Sequence, residues 1–137
     1  MDNQSVILAV ASPPGSATRG IVRASGADAC QVLCNAMDSN CHGSAAVRER
    51  RRGVHVVRLR DPSVSALVLV MPGPASATGE DCAEIHTVGN PFVLERIIAA
   101  LGRGSTACSP RRIQRACGFV GAHADCIRRA RRRSNHG

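Results

Sequence analysis

PGPASATGEDCAEIHTVGNP, residues 72–91, joins a long apolar run before it to a helical pattern after it. Its Pro-Gly-Pro entry predicts a bend, because proline fixes φ and lacks a donor while glycine tolerates positive φ. An acid-bearing turn follows (Thr78, Gly79, Glu80, Asp81), then a short apolar run ending in Glu84 and His86, then an exit turn (Gly89, Asn90, Pro91). Four ionisable groups, Glu80, Asp81, Glu84 and His86, therefore lie between two glycine-proline hinges. In a chain of 137 residues with ten acids, they form the candidate site.

Working outward, Asn90 is a good N-cap and Pro91 suits the first helical position. Val93, Leu94, Ile97, Ile98 and Leu101 then mark one apolar face of a helix, closed by Gly102. Before the stretch, residues 54–59 (VHVVRL) and 64–71 (VSALVLVM) flank an Asp61-Pro62 turn and predict a hairpin in the sheet centre. Residues 48–52 (RERRR) read as a solvated charge run or an anion contact. Residues 38–46 have the composition of a loop.

At the start, residues 5–11 (SVILAVA) predict a buried strand broken by Ser12-Pro13-Pro14-Gly15-Ser16. Residues 20–25 (GIVRAS) predict a second strand with Arg23 between apolar neighbours. Residues 26–37 carry a helical pattern with Asp28 in the first turn to complement the dipole. The expected class is α+β, a mixed sheet with two main helices. Residues 1–107 are expected to form one domain, and residues 108–137 a basic tail rich in Arg and Cys that is disordered.

Composition narrows the function. The net charge of +8 divides unevenly: ten Arg and nine acids up to residue 108, but eight Arg and only Asp125 after it. The basicity belongs to the tail. Phe92 and Phe119 are the only aromatics, so the chain has no stacking platform for single-stranded nucleic acid. No apolar run approaches the roughly 20 residues that span a bilayer, and with no basic n-region at the start the expectation is a cytoplasmic protein with reduced thiols. Two sets, Cys30, Cys34, Cys41 with His42, and Cys108, Cys117, His123 with Cys126, lack paired metal-ligand spacing and read as ordinary thiols. No metal site is expected.

Three blocks together carry a resemblance: Ala11-Ser12-Pro13-Pro14-Gly15, then Gly20-Ile21-Val22-Arg23-Ala24-Ser25-Gly26, then Thr78-Gly79-Glu80-Asp81 with Glu84-Ile85-His86. In order and separation they resemble the A-T-P-P-G, G-I-V-R-x-S-G and T-G-E-D-x-x-E-x-H blocks in the N-terminal domain of the MnmE (TrmE) family of tRNA-modification GTPases. The resemblance implies a tetrahydrofolate-binding fold similar to that of glycine-cleavage T-proteins. It implies a homodimer that takes 5-formyl- or 5,10-methylene-tetrahydrofolate. By the same resemblance Arg23 and Glu84 contact the cofactor. Glu80, Asp81 and His86 read either as residues that shape the site loop or as structural ones, the two acids capping or tying the turn and His86 a satisfied strand-end residue, with turn-tying favoured over contact for the acids. Whole family members act on the wobble uridine of tRNA with the FAD-dependent partner MnmG.

There are departures. Only part of the family's Gly-His-Gly-Gly-Pro segment survives in residues 86–91. The P-G-E-F-S/T-x-R-A-F-L-x-G-K/R block expected after the helix is replaced by Pro110-Arg111-Arg112-Ile113-Gln114-Arg115-Ala116-Cys117. No phosphate-binding glycine loop occurs in the sequence, so the expectation is a chain truncated before the helical and GTPase domains and not catalytic alone. The tail itself has two readings. Residues 110–114 encoded CCC CGG CGA ATT CAG, read one base later, give Pro-Gly-Glu-Phe and permit the missing block, so a frameshift would explain the basic tail. Otherwise the tail is a natural disordered segment that binds RNA phosphates. Alternatives to the folate module are accordingly a non-functional remnant or a small RNA-binding protein acting through its tail.

Overall fold

Burial along residues 65–71 alternates strictly, with Ala66, Val68 and Val70 enclosed and the residues between them open, as in a strand with one face on a core. The same period organises the whole sheet. The computed structural model describes residues 6–103. Among them the order is β1 (Ile7–Val10), β2 (Ala17–Ser25), α1 (Ala29–Ala36), α2 (Ser44–Arg48), β3 (Gly53–Arg58), β4 (Ser65–Met71), β5 (Cys82–Gly89) and α3 (Pro91–Arg103). The tail readings for residues 108–137, with Cys108, Cys117, His123 and Cys126, lie outside the described residues.

The five strands make one sheet in the order β1-β2-β5-β4-β3. Two hairpins, β1–β2 and β3–β4, receive β5 between them. The α+β class is as expected, but every ladder is antiparallel where a mixed sheet was expected. The β3–β4 hairpin also lies to one side and not at the centre, with β3 at the edge. Leu67 and Leu69 of β4 point to the open face of the sheet.

Val22 and Ala24 of β2, Ala83 and Ile85 of β5, and Val68 and Val70 of β4 join Leu33 of α1 and Ile97 and Leu101 of α3 in a single core. The helices therefore cover one face of the sheet. Asn90 Oδ1 accepts the backbone N–H groups of Phe92 at 2.9 Å and Val93 at 3.4 Å, which is the expected cap of α3. Leu94, Ile97, Ile98 and Leu101 are buried along its apolar face, and Val93 packs beside them. The third helix, α2, was not expected, since five residues within a loop-like composition give no period to detect. Asp28 is the N-cap residue of α1 and not part of its first turn, and its side chain makes no capping hydrogen bond.

Candidate functional site

The face of the sheet away from the helices carries rows of side chains set by register. Arg23, Glu84, Leu69 and Val54 are successive cross-strand partners, as are Ile21, His86, Leu67 and Val56. A third row holds Ser25, Cys82 and Met71. Since side chains alternate across a strand, Cys82, Glu84, His86 and Val88 share this face. Apolar residues dominate it: Val54 is 62% exposed, Val56 56%, Val88 51% and Leu67 40%.

The polar group at its centre is built from adjacent strands. Arg23 Nε donates to Glu84 Oε1 at 2.9 Å, and Arg23 Nη2 closes on the same oxygen. His86 Nε2 lies 3.0 Å from Glu84 Oε2. The Glu84 side chain is 12% exposed, those of His86 and Arg23 22% and 28%. Burial works to raise the Glu84 carboxyl, but the hydrogen bonds and charges of Arg23 and His86 outweigh it and hold the group below its ordinary value. Glu84 is therefore an ionised acceptor at neutral pH. Two contacts occupy Oε1 and one occupies Oε2, which leaves room on Oε2 for a donor from outside.

Of the expected site residues, the fold brings together Arg23, Glu84 and His86. His86 is mid-strand, not at a strand end. Asp81 is elsewhere: its carboxylate is buried and bound by Arg50 and by the Gly73 backbone N–H. Glu80 lies in the turn, where its carbonyl accepts the Ser76 hydroxyl and its N–H faces Thr78 Oγ1 at 3.4 Å. Sequence reasoning missed Arg50 and Arg52, whose only signal was a cationic run just before β3.

Among the described residues no group of three or more His, Cys, Asp or Glu is placed to hold a metal ion. Cys30 is pushed up to about 11 by burial first and then by the charge of Asp81, and burial raises Cys34 as well, so neither thiol is a ready nucleophile. Among the described residues no helix is long and apolar enough to cross a membrane. A cleft of about 260 Å3 lies apart from the Arg23–Glu84 pair, beside Asn35, Arg60, Asp61 and Arg103.

The family described as GTP-binding protein TrmE N-terminus matches residues 6–115. The chain belongs to this family. Its match takes in Arg23, Glu84 and His86 and continues past the described residues. The chain is similar to the tRNA modification GTPase MnmE of Roseiflexus sp. (strain RS-1), 39% identical over 105 residues, covering 76% of this chain and 23% of that protein. It is likewise similar to MnmE of Roseiflexus castenholzii, 41% identical over 106 residues with the same coverage. The MnmE of Chlamydia trachomatis serovar D is 35% identical over 114 residues, covering 80% of this chain and 24% of the relative. The TrmE N-terminal region is thus about a quarter of these relatives' length.

Proposed function

We infer that this chain is a tetrahydrofolate-binding and dimerisation module of the tRNA wobble-uridine modification machinery. One observation carries the reading: Arg23 and Glu84, 61 residues apart in sequence, are hydrogen-bonded cross-strand partners at the centre of the open sheet face. A pterin presents an amino group and a ring N–H side by side, which suit a carboxylate, while its acceptors and the glutamyl tail suit a guanidinium. A Glu84 held ionised is an acceptor at any neutral pH. Ile21, Leu67 and Leu69 beside the pair offer an apolar bed for the ring. The open position on Glu84 Oε2, beside His86, would take a pterin N–H donor.

Dimerisation is supported by the apolar, helix-free face around that pair, a patch of the kind that marks an interface. The relatives' printed names support a place in tRNA modification. An FAD-dependent MnmG-type protein as partner, tRNA contacted indirectly, and a cytoplasmic location follow from the same family reading. Titration calorimetry of the full chain with 5-formyltetrahydrofolate is the test. Saturable binding that Glu84→Ala abolishes is the expected result, and a folded chain that takes up no folate would refute the reading.

A further inference from the structure

Arg50 and Arg52 belong to the cationic run of residues 48–52, which the folate site leaves unused. Both turn onto the strap formed by residues 72–81. Arg50 sits at φ 55°, in the left-handed region that non-glycine residues seldom occupy. Its guanidinium closes as a fork on Asp81, Nη2 on Oδ1 and Nε on Oδ2, each at 2.6 Å. Asp81 is 5% exposed, and its Oδ1 also accepts the Gly73 backbone N–H at 3.0 Å. One carboxylate thus ties the first turn of the strap to its last residue and both to Arg50. Arg52 adds hydrogen bonds to the carbonyls of Pro72 at 3.2 Å and Ala75 at 2.8 Å. The two ends of the strap pass so closely at Gly73 that a Cβ there would lie 2.9 Å from the Gly79 carbonyl oxygen.

Beneath the strap lie Ser25 and Cys82, cross-strand partners one row along from Arg23 and Glu84. Among the described residues no helix covers that face, yet both residues are only 2% exposed. Ser25 Oγ is 3.1 Å from Thr78 Oγ1, so the strap itself provides the cover. Cys82 is buried without belonging to the core under the helices.

We propose that Arg50 and Arg52 are positioning residues, which clamp the 72–81 strap over Ser25 and Cys82 and so fix one wall of the site at Arg23 and Glu84. The clamp is read from contacts alone; its effect on a ligand rests on the folate reading. The two are separable because Cys82 reports on the strap directly. Closed, the strap leaves this thiol inaccessible and raised to about 11, chiefly by burial. Opened, it restores an ordinary reactive thiol.

The experiment uses the full chain, with peptide-resolved N-ethylmaleimide labelling at about pH 8 and titration with 5-formyltetrahydrofolate. Arg50→Ala is expected to speed labelling of Cys82 about tenfold or more while Cys34, whose thiol feels neither Asp81 nor Arg50, keeps its wild-type rate. Folate affinity should weaken by a similar factor. Arg52→Ala, which removes only contacts to exposed carbonyls, should shift both in the same direction by a few-fold, and it remains informative if the Arg50 variant does not fold. Arg50→Lys, which keeps the charge and loses the fork, should rescue part of both effects. An equal gain in labelling at Cys82 and Cys34 in every variant, unchanged labelling of Cys82, or an uncovered Cys82 with full folate affinity would each overturn the proposal. Clamp-dependent labelling in a wild-type chain that takes up no folate would refute the folate reading and uphold the clamp.

Discussion

Glu84 shares one negative charge between a guanidinium and an imidazole, and its acid behaviour follows. Its carboxyl lies below the ordinary value of 4.5, so the pair stabilises the fold above that value, and the contribution is lost as pH falls through the lowered one. The thermal midpoint of the wild type should therefore drop on acidification below about pH 4.5 more steeply than that of Glu84→Gln. Identical slopes would mean that Arg23 and His86 give the ionised form no advantage. In the amino-acid sequence, Glu84 is legible as a site residue from the acidic stretch itself, but its pairing with Arg23 only through the motif blocks, because no spacing rule joins positions 61 apart. Asp81 is visible there as an acid that ties the turn, but its direction is not. That depends on Arg50, whose inward turn a charge run does not announce.

Among the elements, α3 was the most legible, because its cap, its proline and its apolar period agree. Asn90→Ala should lower stability by about 1 kcal/mol, read from chemical denaturation, since two N–H groups lose their acceptor. Gly89→Ala tests a different constraint: a Cβ would lie 2.3 Å from the Ala17 carbonyl oxygen and 2.7 Å from its carbon, both backbone. It should destabilise more than the cap variant, and a milder effect would mean that the β2–β5 ladder yields there. Four strands and the β3–β4 pairing were found by their apolar runs, but the run of residues 82–89 was given no place in the sheet. An apolar run does not say which face a helix covers, so the β3–β4 hairpin was expected at the centre instead of the edge. The loop-like composition around α2 hid a single turn held by Val47 in the core and by a local bond, the Ser44 hydroxyl donating to the Ser39 carbonyl at 2.7 Å.

At the scale of the molecule, the described residues form two layers and leave one sheet face without a covering helix. If that face is the dimer interface, the double change Val56→Glu with Leu67→Glu, on cross-strand partners both at the surface, should convert a dimer to a monomer in sedimentation while leaving the thermal midpoint nearly unchanged. A dimer that survives the pair of charges would place the contact elsewhere.

The strand order β1-β2-β5-β4-β3 also sets a schedule. As the chain leaves the ribosome, β1–β2 and β3–β4 can each close on a near neighbour, and the Met37–Leu59 bridge can link the end of α1 to the second hairpin, but no ladder joins the two hairpins until β5 has emerged. The fifth strand, once made, zips both hairpins at once and carries Glu84 and His86 in with it. Nascent chains arrested before β5 should then hold two hairpins with no ladder between them, so the continuous sheet and its polar centre come into being in the same event.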